Sequence, residues 1–241
     1  MKIGILQADS VMEQFQPRHG DYPEMIDAIL TRAAREIDVD IVCDTFNVVA
    51  GDYPEELDSC DGYVITGSRQ SVYDPDEWIT RLRRFVVDLY AAKVPMVGIC
   101  FGHQLIADEL GGRTEAATSG WGVGAHLYDI VDEHWCMAPA MRQYRVLVSH
   151  KDQVTALPEG ATLLASSEFC PNAMFTIADH VLALQGHPEF LPGYSEDLMN
   201  MRRDMIGEEV YQTGIASLEH DLQSVQVAQW MVHFLKGDQS V

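Results

Sequence analysis

Basic residues are scarce in this chain: 16 Lys and Arg stand against 37 Asp and Glu, a formal net charge of −21 over 241 residues. Such an excess repels phosphate backbones, so nucleic acid is not an expected partner unless a local basic patch exists. The densest basic cluster, Arg81-Leu82-Arg83-Arg84, lies in a helical pattern and reads as a solvated face, and the pair Arg202-Arg203 is flanked by acids. No apolar run approaches the length of a membrane span, so no membrane association is expected. The apolar stretch within Met1–Asp9 is too short for a signal peptide and reads as a first buried strand. Five cysteines without a close-spaced framework point to a reduced setting, and the expected location is cytoplasmic. Paired C-x-x-C and H-E-x-x-H spacings are missing, and His134-Trp135-Cys136 stands alone, so no metal site is expected. No Gly-Lys-Ser/Thr follows Thr66-Gly67-Ser68, which excludes a P-loop, and no cofactor is expected. Repeats, low-complexity tracts and long Pro/Gly/Ser linkers are absent too, so the expectation is a single domain over 1–241.

What is present alternates strand with helix in the first half. Ile3–Leu6, Val39–Cys43 and Gly62–Thr66 read as strands. Glu24–Ile37 and Asp76–Tyr90 carry apolar residues at helical spacing. The alternation predicts a mostly parallel sheet covered by helices, with the site at the carboxyl ends of the strands. Closely spaced strand patterns follow at Val123–Val131, Tyr144–Val148, Ala161–Ser167, Ala173–Ile177 and Val181–Gln185, an antiparallel or mixed extension of that sheet. From about 192 to 237 the chain reads as helical.

Cys100 is the candidate nucleophile. The run Pro95–Ile99 reads as a buried strand, and Gln104–Leu110 as a helix closed by Gly111-Gly112. A lone cysteine after an apolar strand is more often a small core residue. Here Gly98 and Gly102 flank it, and a nucleophile on a sharp strand-to-helix turn needs small neighbours because the backbone is crowded. The positive end of the helix favours thiolate, and the amide of Phe101 points where an oxyanion forms.

A cysteine nucleophile needs a base, and the base an orienting acceptor. His187 follows the strand-like run Val181–Gly186, Pro188 fixes the turn, and Glu189 sits two residues on, on the same side of an extended segment. Glu189 can then accept from His187 and leave the other ring nitrogen for Cys100. His103 is a rival base, but it lies one turn up the new helix and reads as a packing or surface residue.

Three segments now carry a resemblance: Gly98-Ile99-Cys100-Phe101-Gly102-His103-Gln104, Val148-Ser149-His150-Lys151-Asp152-Gln153-Val154 and Gln185-Gly186-His187-Pro188-Glu189. Together they resemble class I, triad-type glutamine amidotransferases, with a core over about 62–189. The Ser-His-x-Asp-x-Val segment is particularly similar to the glutaminase domain of GMP synthetase. The resemblance implies an α/β, flavodoxin-like fold: a central mixed, largely parallel sheet flanked by helices. It also implies roles. Cys100 attacks the glutamine side-chain amide, His187 moves the proton, and Glu189 orients His187. Phe101, Gly67 and Ser68 supply oxyanion amides. Gln104 and the backbone around Ser149 and His150 hold the amino-acid end of the substrate.

The departures are informative. Arg69 follows Gly67-Ser68 where family members often carry Pro, Lys151 stands where GMP synthetase-like segments carry Gly, and Gln185-Gly186 precedes the histidine where many carry an aromatic residue. These details resemble a stand-alone subgroup that includes the γ-glutamyl peptidases of plant thiol metabolism. With only the stretch from Glu189 to Val241 after the triad, no synthetase domain is expected within this sequence. Three readings follow. One is a glutaminase that passes ammonia to a synthetase partner. The second is a hydrolase of γ-glutamyl peptides or amines, with Arg69 or Lys151 binding an acidic leaving group. The third is a non-catalytic regulatory subunit, which the filled triad positions oppose. A cysteine protease is a weaker option, because the motif spacing points at glutamine chemistry.

Overall fold

The structure, a computed structural model, describes residues 1–237; positions 238–241 of the expected domain lie outside the described residues. Among the described residues nine strands form one mixed sheet in the order β2-β1-β3-β4-β11-β10-β9-β6-β7. Its parallel part comprises β1 (Lys2–Gln7), β2 (Val42–Asn47), β3 (Gly62–Ile65), β4 (Met96–Ile99) and β11 (Val181–Leu184). An antiparallel extension follows: β10 (Met174–Ile177), β9 (Ala161–Ser166), β6 (Gly122–Ile130) and β7 (Gln143–His150). This is the mixed α/β architecture that the sequence predicts.

The parallel strands read as continuous apolar runs because both of their faces are covered. Ile3, Ile5, Val64, Val97, Ile99, Leu182 and Leu184 point to one side, where they meet α2 (Tyr22–Glu36) and α7 (Ser224–Lys236). Leu6, Tyr63, Ile65, Met96, Val181 and Ala183 point to the other, against α3 (Glu77–Ala92) and α4 (Phe101–Glu109). Each buried Val, Leu, Ile or Met among these contributes about 1.5–3 kcal/mol through removal from water. Helices α5 (Pro192–Ile206) and α6 (Glu208–Ser217) cover the antiparallel extension near β6.

Several boundaries differ from the sequence reading for local reasons. Helix α2 starts at Tyr22, because Asp21 caps it and Glu24 closes a capping box. Strand β2 lies later than expected, since its register pairs Val42 with Lys2 and Asp38 turns the chain at φ 55°. Helix α4 begins at Phe101, directly after the cysteine, rather than at Gln104. The sequence reading missed the antiparallel pair β5 (Arg113–Ala116) and β8 (Asp152–Ala156), which are short and carry polar residues with little apolar alternation. It also missed α1 (Gln16–His19), a single turn with no buried residue.

Three adjacent parallel strands end at the same sheet edge. Ile65 pairs with Gly98, and Ile99 with Leu184. The loops after β3, β4 and β11 therefore emerge side by side, and they carry Gly67-Ser68-Arg69, Cys100 and His187. Among the described residues no helix is long and apolar enough to cross a membrane.

Candidate active site

Cys100 sits between β4 and α4 at φ 51°, ψ −98°. For a residue with a side chain this backbone costs of order ~1–3 kcal/mol and persists only where its surroundings impose it. Those surroundings are identifiable. The Cys100 amide donates to the Leu184 carbonyl at 2.9 Å, and its carbonyl accepts from Gln104 at 3.0 Å. The two flanking glycines lie against each other: a Cβ on Gly98 would stand 2.5 Å from the Gly102 carbonyl carbon, and one on Gly102 would stand 2.7 Å from the Ile65 carbonyl oxygen. The helix therefore approaches the sheet at a distance only glycines permit. The first amides of α4, which have no acceptor one turn back, follow directly on Cys100.

His187 is held from three sides. Its amide donates to the Leu147 carbonyl at 2.8 Å, which tethers it to β7. Its Nδ1 donates to Glu189 Oε1 at 2.7 Å, and both side chains are buried. Phe190 stacks on the imidazole, with centroids 3.9 Å apart and planes within 14°. The remaining side faces Cys100, and the two side chains border the same narrow space. Burial alone pushes the imidazolium toward losing its proton, but the charges of Glu189 and Cys100 overcome this and raise its pKa to about 10. His103 lies elsewhere, buried beside Phe175 with its Nε2 donating to the Asn172 carbonyl at 3.0 Å.

Gly67 touches this pair. A Cβ there would stand 2.8 Å from His187 Cε1 and 3.7 Å from Cys100 Cβ. The loop is fixed from below. Thr66 Oγ1 accepts from the Ala8 amide and donates to the Gly67 carbonyl, each at 2.9 Å. Asp9 accepts from the Arg69 amide at 2.9 Å and from its guanidinium at 2.9 and 3.2 Å, while Arg69 also donates to the Ser10 carbonyl. Ser68 exchanges hydrogen bonds with Gln70.

A polar cavity of about 210 Å³ opens on Cys100 and holds Gln104, Ser149, His150, Lys151 and Arg69 on its walls. Both donors of the Gln104 amide are used, to the Asp152 carbonyl at 2.8 Å and to Gln185 Oε1 at 3.0 Å. That orientation leaves Oε1 as the group offered outward. In a chain of net charge −21, Arg69, Lys151 and Arg202 line this cavity with one acid, Asp152, and although Arg69 is paired with Asp9, the local balance is positive and favours an anionic ligand. His150 donates through Nδ1 to the Asp152 carbonyl at 3.1 Å.

Burial, with His126 nearby, lowers the His150 pKa to about 3, and burial lowers that of His103 to about 3 as well. An unfolded histidine titrates near 6.5, so between pH 6.5 and 3 the unfolded chain binds more protons and folded-state stability falls with pH. Each histidine is expected to cost about 2 kcal/mol on going from pH 7 to pH 5. Urea denaturation at the two pH values checks this: His150→Gln should show a pH-dependent loss about 2 kcal/mol smaller than the parent.

The structure brings Cys100, His187, Glu189, Phe101, Gly67, Ser68, Arg69, Gln104, Ser149 and His150 to one end of the sheet and leaves His103 outside the cavity. It also gathers residues the sequence reading did not select. Phe190 orients the imidazole, Asp9 pins the loop, and Trp121 and Arg202 wall the cavity. Phe190 had one local signal, its position directly after Glu189.

The family model described as glutamine amidotransferase class-I matches residues 21–203. Gamma-glutamyl peptidase 3 of Arabidopsis thaliana is 39% identical over 140 residues, covering 56% of this chain and 56% of that protein. The chain thus spans about half the length of the curated relatives it matches first. A GMP synthase of Thermomicrobium roseum is 32% identical over 169 residues, covering 70% of this chain and 30% of that protein. A glutamine amidotransferase of Thermotoga maritima shares the fold at TM-score 0.71 and 19% identity, over 98% of this chain and 95% of the other.

Proposed function

The chain belongs to the class I glutamine amidotransferase family, and on that premise we propose that it hydrolyses the γ-glutamyl amide bond of glutamine or a γ-glutamyl compound through a thioester on Cys100. The observation that carries this reading is the placement of Cys100 on a strained turn against the buried His187–Glu189 pair, at the floor of a cationic cavity.

Each step has a group for it. The Cys100 sulfur attacks the amide carbon, and the oxyanion is met by the Phe101 amide and the Gly67-Ser68 loop. The Glu189 carboxylate beside His187 offsets the effect of burial and favours the protonated imidazole, the form that hands a proton to the departing nitrogen. The carbon–nitrogen bond breaks and ammonia or an amine leaves. Water then attacks the thioester, His187 takes its proton, and glutamate is released as the carbon–sulfur bond breaks. Gln104 Oε1 is offered to the substrate's α-ammonium group. Ser149, His150 and Lys151 lie where its α-carboxylate is held. The Asp9–Arg69 contact gives Arg69 the task of holding the oxyanion loop.

Released glutamate from glutamine and from γ-glutamyl peptides, with Cys100→Ser as control, tests the proposal. Cys100-dependent release from either class supports it; release that survives Cys100→Ser contradicts it. A second reading, ammonia transfer to a synthetase partner, is favoured by the GMP synthase similarity and predicts turnover of glutamine stimulated by that partner.

Gly67→Ala supplies a further prediction. The new methyl group would press on buried His187 within 2.8 Å, so imidazole or loop must shift. Displacements near 1 Å at reacting groups cost on the order of 100-fold in rate. A steady-state kcat/KM reduced about 10- to 100-fold, with the denaturation midpoint little changed, is the expected result.

A further inference from the structure

Two spaces flank Cys100. One is the polar cavity with Gln104, His150 and Lys151 on its walls. The other is a narrow space of about 20 Å³ on the His187 side, walled by Gly67, Tyr22 and Phe190. If His187 protonates the departing nitrogen, that nitrogen is on the second side, and the rest of the leaving group extends outward from it, because the space itself admits little more than one water. Cations that reach it are therefore placed to read the leaving group, while Lys151 borders only the first.

Arg69 and Arg202 border both spaces. Arg69 is already committed, with its guanidinium on Asp9 and on the Ser10 carbonyl. Arg202 is in a different condition. It projects from α5, donates to Ser149 Oγ at 2.7 Å, and lies over the Trp121 ring with 5.5 Å to the centroid. Among the described residues it has no carboxylate partner, in a chain where acids outnumber bases by more than two to one. A guanidinium half-buried, pre-oriented by a hydroxyl and an aromatic face, retains N–H donors in the planar fork that suits a carboxylate.

We infer that Arg202 binds a carboxylate of the leaving group, so that among γ-glutamyl compounds this chain prefers γ-glutamyl peptides whose departing residue carries a free α-carboxylate. The inference rests on the hydrolase reading above and narrows its substrate class. It assigns leaving-group recognition to Arg202 instead of Arg69, whose replacement by Ala is expected to weaken all γ-glutamyl substrates alike through the oxyanion loop.

The test compares kcat/KM for γ-glutamylglycine, γ-glutamylglycinamide and glutamine, in the parent chain, Arg202→Gln and Arg202→Lys. A charge-assisted contact of this kind sets discrimination of roughly 10- to 100-fold. The parent is expected to favour the free acid over the amide by that factor. Arg202→Gln should bring the acid-to-amide ratio toward one, and Arg202→Lys should restore part of it. Equal rates on acid and amide in the parent, or an Arg202→Gln variant that loses both by the same factor, would overturn the inference. Cys100-dependent glutamate release from the amide and from glutamine bears on the hydrolase reading independently of any leaving-group carboxylate. Its absence together with no turnover of the acid would remove that reading and this inference with it.

Discussion

Alanine at position 102 is expected to damage this protein, although Gly102 lies in a helix, where the same exchange ordinarily gains up to about 1 kcal/mol. The reason is contact. The added methyl would stand 2.7 Å from the Ile65 carbonyl oxygen and 2.8 Å from Ile65 Cβ, both belonging to a buried central strand. Gly98→Ala would press on the Gly102 backbone from the other side, at 2.5 Å. Neither neighbour is the flexible end of a side chain, so α4 must move off the sheet. Overpacking of this kind costs about 1–3 kcal/mol. The same movement carries the Phe101 amide away from the sulfur, and a shift near 1 Å costs on the order of 100-fold in rate. Denaturant unfolding and kcat should fall together in both variants. An unchanged midpoint and rate would show that the elbow tolerates a wider spacing than the structure has.

Glu189→Gln is expected to leave the protein folded and to remove most of its turnover. The amide fits the carboxylate's place but carries no charge to hold the imidazolium, so burial pulls the His187 proton off at lower pH than in the parent. Loss of an orienting acid together with general acid–base function lowers kcat by about 100- to 10,000-fold. His187→Ala should be at least as severe. In the glutamine variant the alkaline limb of the kcat profile should move to lower pH, because the proton that His187 donates is then lost earlier. A merely structural pair behaves differently: it would lower the unfolding midpoint while leaving kcat and its pH profile in place.

The parts of the site that the sequence discloses are those written into short stretches of chain. Gly98-x-Cys100-x-Gly102 states its own crowding, and His187-Pro188-Glu189 places acceptor and base two residues apart. Alternating strand and helix patterns give the parallel sheet, and the motifs fall after β3, β4 and β11. That these three strands are neighbours, with ends in register, is a property of sheet order that no local pattern contains. The residues missed are those brought in from a distance. Asp9 reaches Arg69 across the β1–β3 pairing, and Arg202 reaches Ser149 only because α5 packs over the antiparallel extension. In sequence, Arg202 reads as one of two bases among acids, and nothing nearby distinguishes it from Arg203, which pairs with Glu208 on the surface.

The central claim is a covalent γ-glutamyl intermediate on Cys100, and the most direct measurement is the intact mass of the protein after rapid acid quench during turnover of glutamine or γ-glutamylglycine. The account predicts a γ-glutamyl adduct that maps to the Cys100 peptide, decays as substrate is exhausted, and is absent from Cys100→Ala. Turnover with no adduct at any quench time, or an adduct that persists in Cys100→Ala, would contradict it.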